Sequence, residues 1–95
     1  MKFAWDPAKA ASNRRKHGVS FELACEVFAD PLHASRLDRV VEGEQRWQTL
    51  GMVRGVAILL VAHLWSNDHG EETIRIISAR RASAGERRAY ETGDF

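Results

Sequence analysis

The chain has 95 residues, 44% of them hydrophobic and 28% charged, and a formal net charge of +1. That length supports one domain around one core, so any site must lie on the surface of that core and not between domains. The longest apolar run, Val56 to Ala62, falls well short of the roughly 18 residues that a membrane span needs, and no hydrophobic segment preceded by positive charge opens the chain, so a cytoplasmic location is expected.

Lys2 to Trp5 reads as a short strand. Asp6-Pro7 ends it and opens a helix, because an aspartate can cap the free N–H groups and proline suits the first turn. This helix is predicted to reach Lys16, with Gly18 as its stop. Ser20 can cap a second helix, in which Phe21, Ala24, Cys25 and Phe28 recur at the spacing of a buried stripe, and Asp30-Pro31 closes it. Strands follow: a weak one near His33 to Val41, then Gln45 to Val53, Val56 to Trp65 and Glu72 to Arg80. Arg54-Gly55 is short enough for a tight hairpin, and Ser66 to Gly70 reads as a polar loop. Val56 to Ala62 is apolar without alternation, as in a central strand covered on both faces. Ser83 followed by Glu86 is a capping box that starts a final helix, to about Glu91. The expected class is α+β: an antiparallel sheet of about four strands with two N-terminal helices and one C-terminal helix, all in a single domain over residues 1–95.

Charge is segregated along this chain. Residues 1 to 17 hold Lys2, Lys9, Arg14, Arg15 and Lys16 against Asp6, and residues 75 to 88 hold Arg75, Arg80, Arg81, Arg87 and Arg88 against Glu86. Two basic ends that meet in the fold would give a nearly neutral protein one positive face, which is what a phosphate backbone requires. Each run taken alone is better explained as a solvated face. On the first helix, Lys9, Asn13 and Lys16 share one side, with His17 at its end. Histidine is the side-chain type whose ordinary pKa suits general acid or base work near neutrality, although many histidines merely cap a helix.

In Ile74 to Ala82, regular alternation puts Ile74, Ile76, Ser78 and Arg80 on one face of a strand and Arg75, Ile77, Ala79 and Arg81 on the other. A guanidinium among isoleucines needs a carboxylate or a phosphate to meet it. For Arg75 an internal pair with Glu44 and a functional role are both open. Arg80 and Arg81 precede a helix N-terminus and suit phosphate. Arg87 and Glu91 have the spacing of a surface ion pair. Trp5, Trp47 and Trp65 read as core. His33, His63 and His69 lack metal-ligand spacing, and Cys25 is the only cysteine, so neither a zinc site nor an internal disulfide is expected and Cys25 reads as ordinary packing.

Three segments, WDPAKAASNRRKHGVSFELACEVFADP from Trp5 to Pro31, EQRW with LGMV behind it from Glu44 to Val53, and IRIISARRASAGERRAY from Ile74 to Tyr90, resemble the BrnT family of type II toxins. The resemblance implies a RelE-like ribonuclease fold, RNA cleavage that arrests growth, and a small BrnA-like antitoxin that inhibits the toxin and binds promoter DNA through its own N-terminal domain. It leaves room for a homodimer within the complex. The positions that match the motifs and could serve chemistry are Lys9, Lys16, His17, Arg46, Arg75, Arg80, Arg81, Arg88 and Tyr90.

Cleavage by the RNA's own 2′-hydroxyl needs a proton acceptor, a proton donor and cations, and no cofactor. The expected catalytic set is His17 for proton transfer, with Tyr90 or Lys16 as substitute, and Arg75, Arg80 and Arg81 for charge. Lys9, Lys16, Arg46 and Arg88 would hold RNA. The alternative class is a non-catalytic basic module that docks an antitoxin-like protein or nucleic acid. A DNA-binding repressor is weaker still, for want of a recognition helix.

Overall fold

The computed structural model describes residues 1–95, in the order β1 (Lys2–Ala4), α1 (Pro7–His17), α2 (Phe21–Cys25), β2 (Ala34–Val41), β3 (Glu44–Val53), β4 (Ala57–Asp68), β5 (Glu71–Arg81) and α3 (Ala84–Thr92). Helix boundaries follow the local chemistry. Asp6 accepts from the Ala8 N–H at 2.9 Å, and α1 ends at Gly18 with φ +71°, a conformation that glycine adopts without the Cβ penalty of other residues. The Ser20 hydroxyl accepts from Leu23 N–H and caps α2. α2 is only one turn long and tightens into a 3-10 turn over Glu26–Ala29. Ser83 and Glu86 complete both bonds of a capping box at the start of α3.

The strands form one five-stranded sheet in the order β1-β5-β4-β3-β2. β2 through β5 are antiparallel neighbours. β1 joins the edge parallel to β5, pairing Lys2 with Thr73 and Ala4 with Arg75, so the sheet has one strand more than expected and is not wholly antiparallel. The expected polar loop at Ser66 to Gly70 is also shorter. β4 runs to Asp68 and β5 starts at Glu71, leaving a two-residue turn at His69 and Gly70 with φ of +55° and +82°. Two consecutive residues with positive φ match the right-handed twist of the paired strands.

β4 is central and covered on both sides, as its unbroken apolar run predicts. On one face Leu59 and Val61 join Phe21, Ala24, Val27, Ile74, Ile76 and Ala79 beneath α1 and α2. On the other, Ile58 and Leu60 join Leu50 and Ala82, with Met52, Tyr90 and Phe95 packed against them under α3. The first face also holds His63, which is fully buried. Its Nδ1 meets the Leu64 carbonyl at 3.1 Å, and since a carbonyl only accepts, Nδ1 carries the proton. Nε2 then accepts from Thr49 Oγ1 at 2.7 Å, and Thr49 accepts in turn from Ser35 Oγ at 2.7 Å. Burial holds the His63 pKa below its ordinary value.

Candidate functional site

Which arginines share a surface is decided by one irregularity in β5. Its register with β4 shifts: Ala62 pairs with Ser78 but His63 pairs with Ile76, leaving Ile77 as an extra residue. This β-bulge overturns the regular alternation expected for Ile74 to Ala82, because a bulge reverses the facing of everything beyond it. Ile74, Ile76 and Ala79 therefore lie together in the core under α1 and α2. Arg75 pairs with Leu64, Arg80 with Leu60, and Leu50 with Leu60. By strand alternation Arg46, Arg75 and Arg80 then stand on the face that α3 partly covers, whereas Arg81 pairs with Leu59 of the opposite face.

These arginines are differently engaged. Arg80 forks onto Glu86 with contacts of 2.8 and 2.9 Å and also donates to the Arg81 carbonyl at 3.2 Å. The Arg80 guanidinium, with the cap bonds, pulls the Glu86 carboxyl down to about 2. Arg80 thus fastens α3 to β5. Arg46 lies 3.9 Å from Glu44, and its Nε is buried with no partner. Glu44 therefore pairs with Arg46 and not with Arg75. Neither Arg75, Arg81, Arg87 nor Arg88 takes part in an ion pair, so the expected Arg87 to Glu91 pair does not form. Arg36 extends the same face, donating to Gln48 Oε1 at 3.1 Å and lying 4.1 Å over the Phe95 ring.

The α1 residues gather elsewhere. Lys9, Lys16 and His17 line a groove of about 210 Å³ with Ser12, Asn13, Ile77 and Ser78. The groove runs along the edge of β5 beyond the point where β1 stops pairing at Arg75. Asn13, which the sequence places on the polar side of α1 with Lys9 and Lys16, is 7% exposed. Its amide donates to the Ala79 carbonyl at 2.8 Å and the Val19 carbonyl at 3.1 Å, and its Oδ1 accepts from Ala79 N–H at 3.1 Å. A side chain thereby replaces the neighbouring strand at this edge and seats α1 on it. None of the arginines lines the groove.

Tyr90 is tied away from both regions. Its hydroxyl donates to Asp30 Oδ2 at 2.5 Å, and the same carboxylate oxygen takes the Met52 N–H at 2.8 Å, beyond the Ala34 to Leu50 pair where β2 begins. The Asp30 bond, with burial, pushes the Tyr90 phenol up to about 12. Asp30 joins α3 to the 3-10 turn across the sheet edge, a role that Asp30-Pro31 as a helix stop does not reveal in the sequence. Cys25 donates to Phe21 O at 3.2 Å, and burial, with Glu22, pushes its thiol up to about 11, well above the range of reactive thiols. Trp65 is 40% exposed and packs edge-on against Trp47 at 5.4 Å between ring centroids, so only part of its surface is core. No group of three or more His, Cys, Asp or Glu side chains converges, and no helix is long and apolar enough to cross a membrane.

Comparison with known proteins agrees with this architecture. Residues 5–86 match the family described as "Ribonuclease toxin, BrnT, of type II toxin-antitoxin system". No curated protein matches the chain. Among solved structures, the crystal structure of the Brucella abortus ribonuclease toxin BrnT is similar, with 30% identity, a TM-score of 0.62, and coverage of 87% of this chain and 97% of that one. The chain belongs to the BrnT family of ribonuclease toxins of type II toxin-antitoxin systems.

Proposed function

We propose that this chain is a metal-independent endoribonuclease whose scissile phosphate sits at the groove between α1 and the free edge of β5. The observation that supports this reading is the grouping of Lys9, Lys16 and His17 with Ser78 around one groove. His17 takes the 2′-hydroxyl proton, the 2′-oxygen attacks phosphorus, and the bond to the 5′-oxygen breaks as that oxygen receives a proton from Lys16 or from the His17 imidazolium. Lys9 and Lys16 balance the charge developing on the phosphorane. Arg46, Arg75, Arg81 and Arg88 hold neighbouring phosphates, while Arg80, already bound to Glu86, positions α3. Tyr90, with its hydroxyl on Asp30, leaves the catalytic set.

The RelE-like grouping, cytoplasmic action, growth arrest and neutralisation by a BrnA-like antitoxin belong to the same proposal, with promoter DNA reached only through that antitoxin. The purified chain incubated with RNA and a chelator is expected to yield fragments ending in 2′,3′-cyclic phosphate. His17→Gln is expected to lower the rate about 10²- to 10⁴-fold. Retained cleavage by that variant across the pH range would refute the assignment of His17. Salt-sensitive RNA binding with no fragments would favour the non-catalytic binding module.

A further inference from the structure

The face that carries Arg46 and Arg75 has a hollow of about 480 Å³ at the end that α3 leaves open. Its lining includes Ala4 and Leu64, polar groups from Gln45 and Thr73, and two charged side chains, Glu44 and Arg75. Glu44 is its one acidic residue. A carboxylate repels phosphate, so on a face with Arg46 and Arg75 its presence suits an RNA ligand only where the RNA brings N–H donors to it. The side chain of Glu44 is 54% exposed and its ion partner Arg46 stands off at 3.9 Å, which leaves carboxylate lone pairs free to accept. Arg75 forms no ion pair and is exposed.

Glu44 and Arg75 line the hollow together from β3 and β5, with β4 between them in the sheet order. A hollow of about 480 Å³ has room for an unstacked base, with Leu64 and Ala4 in its apolar lining. Single-stranded RNA is read in this manner, on the Watson–Crick edges of splayed bases. Of the four bases, only guanine presents two adjacent N–H donors on that edge, at N1 and N2, matching the two oxygens of one carboxylate.

We propose that this hollow is a guanine subsite, with Glu44 reading N1–H and N2–H and Arg75 holding the phosphate of the same nucleotide. The inference rests on the ribonuclease reading above and names the base preference of that enzyme. Arg75 pairs with Leu64 and Ser78 with Ala62, so across the bulge at Ile77 Ser78 lies two strand steps, about 7 Å, along β5 from Arg75.

The test uses the full chain and a mixed-sequence RNA whose cut sites are mapped from the new ends. Cuts are expected to cluster beside guanine. Inosine, which lacks the N2 amine, is expected to slow cleavage at that position, 7-deazaguanine to leave it unchanged, and Glu44→Gln to reduce guanine preference roughly 10- to 100-fold. An unchanged cut-site distribution for Glu44→Gln, or equal cleavage of guanine and inosine substrates, overturns the subsite and leaves the ribonuclease reading standing. Absence of any cleavage refutes that reading instead. Oligonucleotide binding then decides the subsite: weaker binding of the inosine form supports it, and equal affinity overturns it.

Discussion

Replacing Asn13 by Ala removes a side chain that makes three hydrogen bonds in a position only 7% exposed. Each such bond contributes about 1 kcal/mol net, and the loss grows when a buried partner is left without a substitute. The Ala79 N–H and carbonyl lose their only cross-edge partner, since β1 stops pairing at Arg75. The expected destabilisation is about 3 kcal/mol, which in a domain of this size lowers Tm by about 12 to 24 °C. Urea titration and thermal melting of the purified variant measure both quantities. Asn13→Asp provides a sharper control. Its carboxylate can still accept from Ala79 N–H, but it faces two carbonyls to which it cannot donate, so at neutral pH it is expected to be no more stable than the alanine variant. Its carboxyl pKa then stands above the unfolded value, so stability returns as pH falls toward about 4 and the group becomes a donor. A loss below about 1 kcal/mol for Asn13→Ala would refute the idea that this side chain substitutes for a strand.

Four further outcomes are expected. His63 is buried neutral with its pKa lowered, so below about pH 6.5 the unfolded chain binds the proton more readily, and stability should fall by up to about 1.4 kcal/mol per pH unit. Melting between pH 8 and 5 checks this, and a His63→Gln variant should lose that acid limb. Tyr90→Phe gives up the bond to Asp30 and should cost about 1.5 to 3 kcal/mol in denaturation while RNA cleavage per folded molecule persists; loss of cleavage without loss of stability would return Tyr90 to the catalytic set. A Cβ on Gly51 would stand 2.7 Å from Val27 Cγ1 and 2.8 Å from the Val27 carbonyl oxygen, so Gly51→Ala should destabilise by about 1 to 3 kcal/mol, measurable in urea. Arg80→Ala and Glu86→Gln should loosen α3 alike, raising amide exchange over Ala84 to Thr92; cleavage lost in the first and kept in the second would instead mark Arg80 as a phosphate ligand.

Much of the secondary structure is legible because its causes are local. Asp6, Gly18, Ser20 and Ser83 act on backbone groups within a few residues of themselves, and the apolar run of β4 needs only its own composition to require burial on both faces. β1 is visible as a strand, but its partner is not. Lys2 and Thr73 are far apart in the chain, and no feature of the segment sets a parallel direction.

The candidate site depended on long-range facts of the same kind. The residue types and their concentration near both ends were in the sequence, as was the likeness to BrnT carried by three motifs. Helical spacing also grouped Lys9 and Lys16 with His17, as the groove does, but the grouping of the arginines was not legible. One extra residue at Ile77 inverts the faces of β5 beyond it, joining Arg80 to Arg75 and separating both from Arg81. Asn13 has the helical position of a solvated residue, yet the free edge of β5 makes it a buried hydrogen-bonding group. Glu86 engages Arg80 because the turn into α3 brings the carboxylate back onto the strand. Local sequence determined where helices start and stop and which strand is central, since neighbouring residues settle those energies. Register, edge pairing and the choice of partner for each charge belonged to the assembled sheet, where groups distant in the chain compete for the same hydrogen bonds.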